Sequence, residues 1–562
     1  MISAFTDRAL RFLSAEVRGL HAAAYVLAVC ALLSSLLALV RDRLLAHSFG
    51  ASATLDIYYA GFRIPDLIFV ATGALVSVYM LIPELTKRTS EEQKDYIDTI
   101  IVGFSVLAIL VSAAAALLAP FILSLLFPEY GGAHFSNLVL ITRILLLQPI
   151  FLGFSNILAA ITQVRQRYAI YALSPLLYNL GIIAGVVFLY PKWGIAGLAW
   201  GVVFGALMHA AIQFPSVLSD GYFARIPRLR DPRALMRTAF VSLPRALALS
   251  MSQLTFLGLT ALAATLTSGS IAVFMFAYNL QAVPLAIIGA SYSVAAFPTL
   301  AAALSRGHRE EFISHVAIAA RYVFFWSVPA SALILILRAY IVRVILGSGA
   351  FDWTDTRLTA AAFALLSFSL VAQGLTLLLV RGYYAAGRTF VPLIVSAGVA
   401  LGTLALGFVS LHVLNNDALL REVERSLRVQ DIPGSSVLAL AFSYALVSII
   451  GTLVLTLHFE RRFPGFLAQI WRAVVDSVLA SCLAALGAYG ALAVFGTFIT
   501  TDTTVSIFSL GLLGGTVGIV IAALTYYALG SREFSETFTA IHSRLWRKTK
   551  EEGITLVTSA EQ

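Results

Sequence analysis

The stretch Ile100–Ala119 reads IIVGFSVLAILVSAAAALLA, twenty residues without one ionisable side chain. At about 1.5 Å per residue, a helix of that length covers about 30 Å, the thickness of a bilayer's hydrocarbon core. No water reaches the backbone there, so each amide must be paired inside its own segment, which a helix achieves and a lone strand does not. The run is about twice what a tilted barrel strand needs, and it lacks the alternation of one. This stretch is therefore a membrane helix.

Similar apolar runs lie on both sides of it. They fall at 22–40, 57–83, 97–119, 138–161, 169–190, 194–214, 238–266, 271–298, 313–337, 358–380, 389–411, 437–457, 474–498 and 505–529. The fold class is an all-α polytopic membrane protein with about 14 transmembrane helices. A chain that is 59% hydrophobic and 12% charged carries more apolar side chain than one soluble core hides. Over 1–21, Ile2, Phe5, Leu10, Leu13 and Val17 alternate with Arg8, Arg11 and Arg18, the pattern of a cytoplasmic interfacial helix. No cleavage site follows a short apolar stretch, so the first span is expected to be its own insertion signal.

Net charge is +9, yet most of the 38 Lys and Arg sit at the termini and in even-numbered loops. That asymmetry puts both termini in the cytoplasm and explains the basic balance without nucleic acid. The densest cluster, Arg225, Arg228, Arg230, Arg233 and Arg237, belongs to a basic cytoplasmic linker over 220–237 and is expected to meet anionic lipid headgroups.

The segment from Gly73 through Val78, Pro83 and Leu85 recurs from Gly289 through Val294, Pro298 and Leu300. With the linker as divider, this repetition predicts two six-helix lobes, 22–219 and 238–457, related as parallel repeats around a central cavity. The second lobe carries a charged extracytoplasmic insertion over 412–436, where Asp417–Arg428 reads DALLREVERSLR and predicts a solvated helix. Helices 13 and 14 follow within 458–530, then a cytoplasmic tail over 531–562.

Cys30 and Cys482 both fall inside apolar spans, as packing residues rather than a disulfide or metal set. The chain has no phosphate-binding glycine loop, no HExxH and no GxSxG, so no catalytic residue, cofactor or metal is expected. What remains is Arg41-Asp42-Arg43, Asp56 and Arg63, ionisable groups beside apolar spans. Such groups are costly in lipid and face a cavity or a partner charge. Clustered guanidinium groups suit a diphosphate, because each donates in a bidentate fork.

These residues carry a resemblance. The run Val40-Arg41-Asp42-Arg43-Leu44-Leu45-Ala46, then Phe49-Gly50-Ala51, Asp56 and Phe62-Arg63-Ile64-Pro65 resembles the MurJ/MviN family of lipid II flippases. Ser252-Gln253, Ser268-Gly269-Ser270, Pro284, Gly289 and Pro298-Thr299-Leu300 resemble that family's helices seven and eight. The resemblance implies the multidrug/oligosaccharidyl-lipid/polysaccharide exporter fold, with a lipid-tail groove made by the last two helices. It also implies a bacterial inner-membrane flippase that carries a polyprenyl-diphosphate-linked peptidoglycan precursor between leaflets by alternating access. Cell-wall synthesis proteins would be its partners, and Arg41, Arg63, Asp42 and Asp56 its substrate-binding residues.

The pattern departs from the family at three cavity arginines. Ser35, Phe69 and Asn279 stand in their places. A hydrogen bond to a charged group contributes roughly 1.5–3 kcal/mol, so three lost cations amount to about 5–9 kcal/mol if additive. Either other arginines approach the cavity, with Arg63, Arg143 and Arg245 as candidates and Gln253 as a further polar group, or the substrate differs. The alternatives are a flippase for another lipid-linked oligosaccharide, of the O-antigen or capsule type, and a non-transporting membrane scaffold of wall synthesis. The resemblance also brings in a sodium site that some relatives make from acidic and amide side chains in helices seven, eleven and twelve; those spans here contain no Asp or Glu, so no tightly bound metal is expected.

Overall fold

In a computed structural model of the chain, the described residues are 20–73, 76–413, 417–430, 432–500, 503–540 and 542. The interfacial helix expected over 1–21 and the tail beyond 542 lie essentially outside them. Among the described residues the regular structure is entirely helical. Eleven helices are long and apolar enough to cross a membrane, and the bent pair Trp353–Ser367 and Leu370–Ala385 makes a twelfth. These match the third to fourteenth expected runs in order.

The first run is a continuous helix as expected, and the second takes another form. The first lies within helix Leu20–Phe49. The second, expected as one span over 57–83, is divided into helices Ala53–Gly61, Arg63–Gly73 and Val78–Thr86. Pro65 explains the first break, since it has no N–H to give the carbonyl of Gly61 four residues back. The two copies of the repeated segment also differ in backbone. Gly73 ends a helix, whereas Gly289 sits in the π-helical segment Ala286–Ala290 between helices Ser270–Leu285 and Ser291–Ser305. The insertion does contain a helix, Asp417–Leu427. Arg421, Glu422 and Arg425 are exposed on it, while Glu424 is buried and accepts from the Ser435 hydroxyl.

Packing divides the chain into two compact units: Met1–Leu280 with Ile345–Ala362 and Thr389–Val447, and Gln281–Val344 with Phe363–Arg388 and Ser448–Gln562. In the first, helices Tyr168–Ala184 and Ile195–Ala211 cross on glycine. Lipid tails are as apolar as leucine, so membrane helices gain from close backbone approach rather than from burying apolar surface. A Cβ at Gly201 would lie 2.4 Å from the Gly185 Cα, with only backbone to yield. Gly201→Val is therefore expected to cost about 3 kcal/mol or more. Thermal unfolding of the purified variant in detergent measures this, and an unchanged midpoint would show that the crossing contributes nothing.

In the second unit, helices Phe466–Phe495 and Thr504–Ala528 pack along their length. The Tyr526 hydroxyl donates to the Phe325 carbonyl at 3.0 Å. Beside it opens an apolar cavity of about 640 Å³ walled by Tyr292, Phe325, Trp326, Leu333, Ile519, Tyr526, Phe534 and Phe538.

The basic linker does not face the surface as a block. Arg225 pairs with Asp95 and with Asp98, the latter at 3.3 Å, and Arg230 pairs with Asp95 at 3.3 Å. Both acids lie in the first turns of helix Ser90–Leu126.

Candidate functional site

Polar side chains of the first, second, fifth and eighth runs meet in the first unit around a cavity of about 140 Å³. The volume equals roughly five waters of liquid, room for a phosphate-sized anion and not for a glycan. Arg41, Asp42, Tyr58, Tyr59, Arg63, Asp66, Tyr178, Met275 and Asn279 line it.

Arg41 and Asp42 are adjacent on helix Leu20–Phe49, and they pair with each other. The Arg41 Nε and Nη2 both donate to Asp42 Oδ1, at 2.9 and 2.8 Å. The Arg41 Nη1 donates to Asn179 Oδ1 at 3.0 Å, and the Asn279 amide donates to Asp42 Oδ2 at 3.1 Å. Asp42 is only 3% exposed, so both of its oxygens are taken and its charge is compensated. Asn279 thus turns toward the acid.

Arg63 differs. It is buried and forms no ion pair within 4 Å among the described residues. Its Nε donates to the Tyr59 carbonyl at 3.1 Å, and its Nη2 lies 3.6 Å from the Met275 sulfur. The guanidinium sits 5.9 Å from the Phe256 ring centroid, within cation–π range. Asp66, one turn along the same helix, supplies the nearest lining carboxylate and accepts only a long 3.5 Å contact from Gln148. The Tyr59 hydroxyl is buried without a hydrogen-bond partner among the described residues. A cation without an ion pair and an orphan phenol lining one cavity make a place for an oxyanion.

The other sequence candidates are elsewhere. Asp56 does not line the cavity; its carboxylate accepts the Gly269 and Ala272 amides at 2.6 and 2.9 Å and so caps helix Ser270–Leu285. Gly269 has φ of +92°, and a Cβ there would lie 2.3 Å from the Ala51 carbonyl oxygen, so only glycine fits. Arg143 donates to the Ala116 carbonyl at 3.0 Å. The Ser35 hydroxyl bonds back to the Ala31 carbonyl. Phe69 lies against Gly73 on its own helix, and neither it nor Gln253 lines the cavity. Arg245 lies on helix Pro232–Ala264, and its side chain is outside the described residues.

Sequence reasoning missed Asp66, Tyr58, Tyr59, Tyr178, Asn179 and Met275. Asp66 had a readable signal: it follows Arg63 by three residues, which puts both on one helix face. It also alters the electrostatics. Arg41 and Arg63 face Asp42 and Asp66, so the formal charges of the lining cancel.

The family described as "Lipid II flippase MurJ" matches residues 45–512. A lipid II flippase MurJ of Burkholderia cenocepacia is 25% identical over 405 residues, covering 69% of this chain and 78% of that protein. A probable lipid II flippase MurJ of Thermotoga maritima is 26% identical, covering 67% and 77%. Among solved structures, lipid II flippase MurJ in an inward closed conformation aligns with a TM-score of 0.71 at 20% identity, over 90% of this chain and 99% of that one. An inward-facing MATE family transporter of the MOP superfamily aligns at 0.62 and 14% identity, over 77% and 95%. With more than four-fifths of its length matched in one continuous alignment, the chain belongs to the MurJ lipid II flippase family.

Proposed function

We propose that the protein translocates lipid II, the polyprenyl-diphosphate-linked peptidoglycan precursor, from the inner to the outer leaflet of a bacterial cytoplasmic membrane. It binds and moves its substrate and performs no catalysis. Both termini are cytoplasmic, and the lobes 22–219 and 238–457 are the parts that alternate. The observation that carries the site is Arg63: a buried guanidinium that, among the described residues, forms no ion pair and lines one cavity with the unpartnered Tyr59 hydroxyl. In this reading those two groups take one phosphate, and Arg41 joins when Asp42 releases it. The apolar cavity of the second unit receives the polyprenyl chain, its aromatic walls offering dispersion contact without polar cost.

A second reading has its own observation. Because two carboxylates offset two guanidinium groups in the cavity lining, a lipid-linked oligosaccharide of lower anionic charge also suits the site. The deciding experiment is complementation of a strain depleted of its lipid II flippase, at matched membrane expression. Wild type is expected to restore growth, and Arg41→Ala and Arg63→Ala to fail. Failure of the expressed wild type overturns the lipid II reading, and rescue by both variants would mean that a scaffold, not a transporter, meets the need.

A further inference from the structure

The five linker arginines, expected from their clustering to act together, do two different things in the structure. Arg225 and Arg230, although exposed, are held by ion pairs to Asp95 and Asp98, whereas Arg228, Arg233 and Arg237 form none among the described residues. The backbone follows them, since the amides of Arg230 and Asp231 both donate to Thr99 Oγ1, at 3.2 and 3.3 Å. Asp95, Asp98 and Thr99 form one helix face, so the linker is fastened to a single stripe of helix Ser90–Leu126. The fastening continues at Thr238, whose hydroxyl meets the Tyr96 hydroxyl at 3.1 Å, and at Leu235, which packs on Gly103.

That attachment fixes which way the rest of the segment faces. In helix Pro232–Ala264, Leu235, Thr238 and the buried Ser242 recur at three and four residues and form the inward face. At 100° per residue, Arg233, Met236, Arg237 and Phe240 all fall on the opposite side. Met236 is 56% exposed and Phe240 73%, and both arginines are exposed. Just before the helix, Arg228 is exposed between Ile226, 82% exposed, and Leu229, 48% exposed.

Cations interleaved with large apolar side chains on one outward face suit neither water nor the hydrocarbon core. They suit the boundary where phosphate headgroups overlie acyl chains. We propose that Arg228, Arg233 and Arg237, with Ile226, Leu229, Met236 and Phe240, form a docking stripe for the anionic phospholipids of the adjoining leaflet. Arg225 and Arg230 hold the stripe in place and do not touch lipid.

The proposal does not depend on which lipid the protein carries. Near a membrane surface each arginine contributes about 1 kcal/mol, so losing three is expected to weaken anionic-lipid binding roughly 100-fold. The test is native mass spectrometry of the full chain titrated with phosphatidylglycerol or with phosphatidylcholine. Wild type is compared with Arg228→Gln/Arg233→Gln/Arg237→Gln and with Arg225→Gln/Arg230→Gln. The triple variant should lose its preference for phosphatidylglycerol. The double variant should keep the preference and gain hydrogen exchange over 222–231. Equal losses in both variants, no loss in the triple variant, or equal binding of the two lipids by wild type would each overturn the proposal. As a check that needs no variant, hydrogen exchange over 226–240 in wild-type nanodiscs should slow when phosphatidylglycerol replaces phosphatidylcholine, and unchanged exchange would also overturn it.

Discussion

Asp56→Ala is expected to lower the thermal midpoint sharply while the surviving folded protein still binds substrate. The carboxylate accepts two backbone amides at the start of helix Ser270–Leu285, both buried with it. Hydrogen bonds to a charged acceptor contribute roughly 1.5–3 kcal/mol each, so losing both costs about 3–6 kcal/mol, and the stranded amides have no water to turn to. Asp56→Asn keeps one acceptor oxygen and no charge, and about half the loss is expected. Thermal unfolding in detergent, paired with substrate binding by the folded fraction, separates the two roles that an acid here could have. If stability holds and affinity falls, Asp56 is a binding residue and its contact with the helix end is incidental.

Arg63 is expected to show the reverse. Arg63→Ala removes a buried cation aimed at the cavity, and a diphosphate lipid should bind about two to four powers of ten more weakly if two charged hydrogen bonds are lost. Arg63→Lys retains the charge but not the two-pronged donor geometry, and should recover only part of the affinity. Removing the arginine also leaves Asp66 without its nearest cation. The double variant Arg63→Ala/Asp66→Asn is therefore expected to be more stable than Arg63→Ala and to bind no better. Binding of a fluorescent diphosphate lipid alongside the melting curve checks both statements, and wild-type affinity in Arg63→Ala would remove it from the site.

What could be read in the sequence follows from the range of the forces involved. Apolar runs must match bilayer thickness, so twelve of the expected spans recur as helices or a bent pair at their expected places. The second run misled because hydropathy does not register one absent N–H, and Pro65 splits an apolar stretch into shorter helices. Arg41, Asp42 and Arg63 stood out in the sequence because charge beside hydrocarbon demands a partner, Asn279 only through the resemblance, and the four line one cavity. Asn179 did not stand out, since a single amide in a long apolar helix carries no periodic signal and its partner is 138 residues away. Asp56 was legible as important and illegible as a cap, because its partners are backbone amides that every sequence has. Arg143 spends its Nε on a carbonyl 27 residues upstream, a choice that only the packing of neighbouring helices decides.

Arg41 and Asp42 are consecutive residues, and this has a mechanical consequence. Two side chains borne on one turn of one helix keep their spacing however that helix tilts or slides, so their ion pair is no gauge of motion between distant parts of the chain. The gauge is the contact from Asn279, which reaches the same carboxylate across 237 residues of sequence. Stretching that one bond to a charged acceptor shifts the balance of conformations by about ten- to a hundred-fold. Any motion that parts the eighth helix from the first would have to break this bond, and a neutral amide resists it less than a second ion pair would.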